Sequence, residues 1–239
     1  MNLSLFRVVL EVQDFYFFAS FDYKIGLTQD AIHNYSLMYA LWNKARFASG
    51  NTPHYLEDLP SMEYYATPAR PIGYPDLKRW RNHRPTHFDR VRVTYNSLTE
   101  ISASKMEQVT INIPLISSYY KFPPLTNYEF YLLSPHEPKS LIRIGKKLSP
   151  ARLKVTRLDN FTVRREKYKH RPDHFVNMSD IPKGTKFLEG TIMYGFPTPL
   201  VANAVLESDC YMEVSQNNET YTIQLPSIDH YPAMSNLVN

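Results

Sequence analysis

The hydrophobic pattern of this chain has one helical stretch, with short β-forming runs before and after it. One set of apolar residues recurs at helical spacing: Ile32, Tyr35, Met38, Leu41, Trp42 and Ala45. We predict a helix over residues 31–47, with Thr28 or Asp30 as its N-cap. Predicted strands cover residues 3–18, 88–95, 109–116, 128–133, 141–144, 153–158, 187–196 and 221–225. With no internal repeat or low-complexity linker, residues 1–239 form one α+β domain: a sheet with one principal helix and long loops.

Glycine is scarce, since the 239 residues include 7 Gly against 18 Pro. Backbone cradles for nucleotide phosphates use closely spaced glycines. The closest pair here, Gly190 and Gly195, has no Gly-Lys-Ser/Thr run beside it, so a nucleotide-hydrolysing or dinucleotide enzyme is not expected. The single cysteine, Cys210, excludes an internal disulfide and a cysteine-rich zinc site. Because Arg7 and Glu11 interrupt the first apolar stretch, we expect a cytoplasmic protein without a signal peptide or membrane association.

The net charge of +4 hides an uneven distribution of charged residues. Residues 78–92 contain six Lys or Arg and one acid, and residues 139–171 contain twelve Lys or Arg and two acids. The rest of the chain has nine basic and twenty acidic residues. Concentrated cations among aromatic residues are typical of polyanion binding, because each neutralised phosphate releases counterions. A merely solvated charged surface is the alternative, but an acidic body with two basic segments favours a nucleic acid partner.

The second basic segment contains two candidate RNA-binding clusters. The first combines phosphate-binding cations with a glycine that would let a turn approach a ligand: Arg143, Gly145, Lys146, Lys147 and Arg152. The second places cations around an aromatic ring that would stack on a base: Arg164, Arg165, Lys167, Tyr168 and Lys169. The alternatives are an exposed basic hairpin turn for the first cluster and a solvated loop for the second.

The first basic segment is predicted to form a projecting arm at about residues 71–87. Its candidate contacts to RNA or DNA are Lys78, Arg79, Trp80, Arg81 and Arg84. Burial of Trp80 against another protein is an equally good use of that side chain. Arg90 and Arg92 follow in period-two alternation with valines, which places both arginines on one strand face as further RNA-binding candidates.

The start of the predicted helix is another candidate anion site. His33 and Asn34 lie there, where free backbone amides and the helix dipole favour negative charge. The alternative is that Tyr35 packs in the core and Asn34 makes local hydrogen bonds. Arg70, at the end of the run Thr-Pro-Ala-Arg, is a candidate RNA contact or part of a structural turn.

Two histidine pairs have the four-residue spacing that suits a metal ion on a helix: His83 with His87, and His170 with His174. A proline interrupts each pair, so neither lies on a regular helix. We therefore predict no metal site and no cofactor.

Several blocks of sequence together resemble a known family. Residues 32–41 read IHNYSLMYAL, residues 55–71 read YLEDLPSMEYYATPARP, and residues 142–155 read IRIGKKLSPARLKV. With the N-terminal strand and the aromatic tail at residues 15–21, they resemble the type I-D CRISPR Cascade subunit of the Cas-five (Csc-one) group, in the RAMP superfamily. The resemblance covers the chain from about residue 6 to residue 155.

This resemblance implies a fold and a set of partners. It implies an RRM-like, ferredoxin-type antiparallel sheet core with an inserted basic arm. Such subunits hold the 5′ handle of the CRISPR RNA, cap the backbone filament, and contact the backbone RAMP subunit and the large subunit. They do so near the place where the protospacer-adjacent motif of target DNA is inspected. We therefore expect a non-catalytic RNA-binding subunit with no catalytic residues.

Two other functions stay open. One RAMP branch, in type I-C systems, cleaves precursor CRISPR RNA by side-chain acid–base chemistry, so a metal-independent endoribonuclease is the main alternative. A scaffold whose basic surface meets acidic proteins is the third.

Overall fold

The protein is built mainly from β-strands. A computed structural model describes residues 3–18, 25–42, 54–72, 90–96, 116–193, 197–216 and 219–238. The strands in these ranges are β1 (Ser4–Val12), β2 (Ile25–Leu27), β3 (Tyr65–Ala66), β4 (Arg70–Pro71), β5 (Val91–Asn96), β6 (Ile116–Lys121), β7 (Asn127–Ser134), β8 (Leu141–Ile144), β9 (Ser149–Leu158), β10 (Phe161–Arg164), β11 (Tyr168–His170), β12 (Val176–Asn177), β13 (Lys186–Met193), β14 (Leu200–Ser208), β15 (Tyr211–Gln216) and β16 (Glu219–Gln224). The α-helices are α1 (Asn34–Leu41), α2 (Tyr55–Asp58) and α3 (Ser235–Val238). An α+β class with more strand than helix and one principal helix, α1, is confirmed.

The central sheet is organised around the first strand. Its order is β3-β7-β1-β9-β8, with β4 also pairing with β7. β1 lies in the middle and pairs antiparallel with both β7 and β9. Val8, Leu10 and Val12 are fully buried, and burying each such side chain stabilises the fold by about 1.5–3 kcal/mol. The strand ends at Val12 instead of residue 18, because the chain bends at residues 13–14 and Tyr16 then bridges to Phe122.

The principal helix is shorter than predicted at both ends. It begins at Asn34 with His33 as its N-cap, so the predictions of Thr28 or Asp30 were wrong. Both candidates are used elsewhere: the N–H of Thr28 donates to the carbonyl of Tyr120, and Asp30 pairs with Arg90. The helix ends at Leu41, and the extended backbone of the following residue (ψ 121°) stops it there instead of at residue 47.

Three smaller sheets complete the described fold. They are β10-β15-β16, β11-β14-β12 with β13 also paired to β14, and β2-β6-β5. The sequence did not predict β2, β3, β4, β10, β11, β12, β14 or β15, and its predicted strand at residues 109–116 reaches β6 only at Ile116. In β14 both faces are largely buried, so its sequence LVANAVLES lacks the alternation that identifies a half-exposed strand. β10 and β11 are only four and three residues long, too short for a periodic pattern to identify them.

Some predictions fall on parts of the chain that the structure does not describe. The predicted strand at residues 109–116 lies outside the described residues apart from its last position, and so does the predicted arm from residue 73 onward. The arm residues there are Lys78, Arg79, Trp80, Arg81 and Arg84. The single domain over residues 1–239 stays a prediction.

Candidate nucleic-acid interface

The two faces of the central sheet have different characters. α1 contacts both edge strands, β3 and β8, and therefore crosses one face of the sheet. Ile142 and Ile144 of β8 are buried, whereas Leu141 and Arg143 alternate with them and are exposed. We call the face that bears Leu141 and Arg143 the outer face. At the start of β9, just after the β8–β9 turn, this face is open to solvent in the described structure, since Arg152 and Lys154 are exposed.

Three cations project from the open part of the outer face: Arg143, Arg152 and Lys154. The register places Arg152 beside Glu11, and Lys154 Nζ lies 3.5 Å from Glu11 Oε2. The pKa of Glu11 is lowered chiefly because Gln13 donates a hydrogen bond to it, with Lys154 and Arg152 adding to the effect. Glu11 therefore offsets part of the charge of Arg152 and Lys154, and with Arg143 this surface stays positive.

The turn between β8 and β9 is anchored to the segment that follows β1. The Lys146 N–H donates to the Phe17 carbonyl at 3.0 Å, and the Ser149 hydroxyl donates to the Phe15 carbonyl at 2.7 Å. Gly145 has a φ of 73°, and a Cβ there would lie 2.5 Å from the Phe17 oxygen. The space for a side chain at Gly145 is thus filled by the protein's own backbone, and a contact between Gly145 and RNA stays a prediction.

The cations of this turn adjoin those of the outer face. Arg143 Nη1 donates to the carbonyl of Leu148 at 3.1 Å, so its guanidinium folds over the turn. Lys147 Nζ lies 5.7 Å from the ring centroid of Tyr119, a cation–π contact that orients its exposed chain. The hairpin site is the name we give to the exposed cations of the turn and the outer face together: Arg143, Lys146, Lys147, Arg152 and Lys154.

A second charged group on the outer face joins three strands. Glu129, with 6% of its side chain exposed, accepts from Arg7 Nε at 2.5 Å and from Arg70 Nη2 at 2.8 Å. Burial opposes ionisation of Glu129, but the two guanidinium groups outweigh it and hold its pKa below the ordinary value. Arg7 Nη1 also donates to the Tyr221 hydroxyl at 3.2 Å, so β16 covers this end of the face. Arg70, predicted to bind RNA, is held by Glu129, and that contact stays a prediction.

The start of α1 lies in a buried polar network. Asn34 Nδ2 donates to Asp180 Oδ2 at 2.6 Å, and the Tyr35 hydroxyl donates to Asp180 Oδ1 at 3.0 Å. His33 is 2% exposed; its Nδ1 accepts from the Tyr35 N–H, and its Nε2 lies 3.0 Å from Thr198 Oγ1. Burial raises the pKa of Asp180 to about 6 and lowers that of His33 to about 4. The anion beside the helix start is thus Asp180, and contacts of His33 and Asn34 with RNA stay predictions.

Arg90 and Arg92 lie at the start of β5 and have separate partners. Arg90 donates to the Thr28 carbonyl at 2.7 Å and to Asp30 Oδ1 at 2.5 Å. Arg92 is exposed and donates through Nε to the Ser118 hydroxyl at 3.0 Å. Arg90 is therefore engaged in holding the loop before α1, while Arg92 presents its remaining donors to solvent. Their binding to RNA stays a prediction.

The second predicted cluster lies on β10, β11 and their connection. Arg164 pairs with Glu213 on β15 at 2.7 Å. The other members are exposed: Arg165, Lys167, Tyr168 and Lys169. The loop expected here contains two short strands, which belong to two of the smaller sheets, whereas the hairpin site lies on the central sheet.

A comparison with protein families decides what kind of protein this is. The family model for the type I-D CRISPR-associated protein Cas5/Csc1 matches residues 3–232. The chain belongs to this family. The resemblance drawn from residues 32–41, 55–71 and 142–155 is therefore confirmed, and the match extends it through the C-terminal part. A search of curated proteins gave no match.

The described part of this type I-D CRISPR-associated protein has neither a metal-binding cluster nor a membrane-spanning helix. Among the described residues, no group of three or more His, Cys, Asp or Glu side chains is placed to hold a metal ion. None of the described helices has the length and apolar character needed to cross a membrane.

Proposed function

We propose that this chain is a non-catalytic subunit of a type I-D CRISPR surveillance (Cascade) complex, and that its hairpin site binds the 5′ handle of the CRISPR RNA. The observation that carries the proposal is the grouping of five exposed cations on one anchored surface, in a chain of the Cas5/Csc1 family. Phosphate contacts supply most of the affinity for a nucleic acid and set its register.

The geometry of β9 suits contact with an extended RNA backbone. Arg152 and Lys154 are two residues apart on one strand, so both project from the outer face about 6.6 Å apart. Arg143 on the neighbouring strand β8 and the lysines of the turn widen this surface. Because strands and an anchored turn hold these cations, little ordering entropy is lost when RNA binds.

Further parts of the proposal rest on the family. We propose that the subunit caps the backbone filament beside a backbone RAMP subunit, contacts the large subunit, and helps to position target DNA near the protospacer-adjacent motif. The central β1, the helix across one face and the open part of the outer face support an RRM-like, ferredoxin-type core, since an RRM binds RNA on an open sheet face.

Three of the six described histidines are poorly suited to cleavage. His33, His170 and His174 are buried, whereas His54, His136 and His230 are exposed or partly exposed, and burial lowers the pKa of the first three, to about 4 for His33 and His174. At neutral pH these side chains are uncharged and hidden from an RNA backbone, so they are poorly placed for acid–base chemistry. Incubation of the full chain with repeat RNA in EDTA tests this point, and site-specific cleavage would favour the endoribonuclease alternative.

Charge reversal tests the RNA site. We expect the triple variant Arg143→Glu, Lys146→Glu, Arg152→Glu to lose binding to a labelled handle RNA, measured by fluorescence anisotropy at two salt concentrations. The slope of affinity against salt should fall by about one for each phosphate contact removed. Arg157→Glu is the matched control, because Arg157 lies on β9 but faces away from the outer face and pairs with Asp159 at 2.9 Å.

The same proposal has a test in the assembled complex. CRISPR RNA should co-purify with the complex that contains this chain, and sequencing of that RNA identifies it. Absence of CRISPR RNA, or unchanged handle binding by the triple variant, would contradict the proposal.

A further inference from the structure

A cleft of about 560 Å³ is lined by residues of β10, β11 and β15, from two of the smaller sheets, and none of these residues belongs to the hairpin site. One wall is formed by residues 163–168, which include the end of β10, its connection and the start of β11. Tyr211 and Glu213 of β15 form the other wall. Every residue that lines the cleft lies within the described ranges of the chain.

The two tyrosines of the cleft differ in solvent exposure. Tyr211 is 3% exposed, and its ring stacks on His170 with centroids 4.1 Å apart and planes 15° apart. Tyr168 is 64% exposed, and within the described structure its side chain has no ring contact and no hydrogen bond. Exposing a large aromatic ring forgoes the burial that stabilises most rings in a fold. The Tyr168 ring is therefore a free stacking surface on a strand.

The cations around Tyr168 are not equivalent. Arg164 donates to Glu213 through two nitrogens at 2.7 and 2.8 Å, so its charge is already matched. Arg165 and Lys167 are exposed and have no ion pair in the described parts of the chain. The exposed carboxylate of Glu166 lies between these two in sequence and offsets part of their charge. Two cations without an ion pair thus line the same cleft wall as Tyr168.

Lys169, the residue after Tyr168, lies beside a different set of charged side chains on β14 and β13. Lys169 lies opposite Glu207 in the β11–β14 register, and Glu207 is also paired with Lys186 at 2.9 Å. Glu207 therefore stands between two lysines; its pKa is lowered chiefly by the hydrogen bond from Lys186, and the charge of Lys167 adds to the effect. The surface beside the cleft stays positive after its ion pairs are counted.

We infer that this cleft binds single-stranded nucleic acid, with one base stacked on Tyr168 and the adjoining phosphates held by Arg165 and Lys167. A base must be unstacked from its neighbours to lie on a protein ring, which requires a single strand. The cleft and the hairpin site are on different sheets, so the cleft is a second contact and not part of the first. The inference rests on the proposed function for its source of nucleic acid, which is either the guide RNA or a displaced strand of target DNA.

Binding of the full chain to single-stranded handle RNA and to DNA of equal length tests the cleft. Tyr168→Ala should weaken binding of the strand that occupies the cleft at least about fivefold, whereas Tyr168→Phe keeps the ring and should bind like the wild type. The double variant Arg165→Ala, Lys167→Ala should lower the salt slope by about two, and Arg157→Ala, outside both the cleft and the hairpin site, should leave it unchanged. Because Tyr168 is exposed, all variants should keep the wild-type thermal midpoint.

The outcomes separate this inference from the proposed function. A loss confined to RNA assigns the cleft to the guide, and a loss confined to DNA assigns it to the target strand. If Tyr168→Ala binds both strands like the wild type while the triple hairpin variant fails, the cleft inference is overturned and the proposed function stands. If the triple variant still binds the handle while Tyr168→Ala does not, the hairpin site is wrong and the cleft stands.

Discussion

Replacing Gly145 with alanine is expected to destabilise the protein by about 2–5 kcal/mol, more than the same change at Gly184. Both glycines have left-handed backbones, with φ of 73° and 89°. That conformation costs an alanine about 1–2 kcal/mol at either position. At Gly184 a Cβ would meet nothing within 4 Å, so the backbone term is the whole cost there.

The surroundings of Gly145 add a second cost. A Cβ there would lie 2.5 Å from the Phe17 carbonyl oxygen and 2.8 Å from the Tyr16 ring. The backbone oxygen also accepts from the Lys146 N–H, so it can move away only by loosening the turn. Overpacking of this kind costs about 1–3 kcal/mol, which is the expected difference between the two variants.

Urea unfolding of the wild type and both alanine variants, followed by circular dichroism, measures this difference. The Gly145 variant should also bind handle RNA more weakly, because the displaced turn carries two of the lysines of the hairpin site. The reasoning is refuted if Gly145→Ala and Gly184→Ala lose the same free energy of unfolding within about 0.5 kcal/mol, the usual scatter of surface substitutions.

Glu129→Gln should lower the free energy of unfolding, measured in urea, by about 2 kcal/mol. This is less than for a fully buried ion pair, because both arginine partners of Glu129 are over a third exposed. Glu213→Gln, which breaks an exposed pair, should lower it by under about 1 kcal/mol. Equal losses would contradict this. Burial lowers the pKa of His33 and His174 to about 4, so the unfolded chain takes up protons first and stability is lost as pH falls from about 6.5 to 4. Asp180, with a pKa raised to about 6, acts in the opposite direction between pH 3.8 and 6, since its ionised form is the less stable one in the fold. Two histidines against one carboxylate leave a net loss of about 3 kcal/mol on acidification from pH 6.5 to 4, and constant stability in denaturant titrations across that range would refute it.

Local pattern predicted elements where one face is buried and the other exposed. β8 was predicted with the observed bounds, because Leu141 and Arg143 alternate with two buried isoleucines. β14 was missed, since burial on both faces removes the alternation. The length of α1 was also overestimated: apolar residues continue at helical spacing to Ala45, but the backbone becomes extended after Leu41. Periodicity reports where a helix is possible and not where the chain leaves it.

The candidate site was also predicted only in part. The two basic segments, the Tyr168 cluster and the family could be predicted from the sequence, because charge and motif are properties of neighbouring residues. The sequence could not predict which of these cations are free of ion pairs. Arg7, which the sequence did not indicate as a site residue, is held by Glu129 across 122 positions, and Arg164 is neutralised by Glu213 across 49.

The sequence by itself therefore determined the α+β class, the separation of an acidic body from basic segments, and membership of the Cas5/Csc1 family. Only the tertiary structure decided that Arg152 and Lys154 share an open face and that Arg165 and Lys167 have no ion pair among the described residues. It also decided that His33 and Asn34 are buried around Asp180. The physical reason is that an ion pair or a buried polar network depends on distance in space, which strand pairing sets across long separations in sequence.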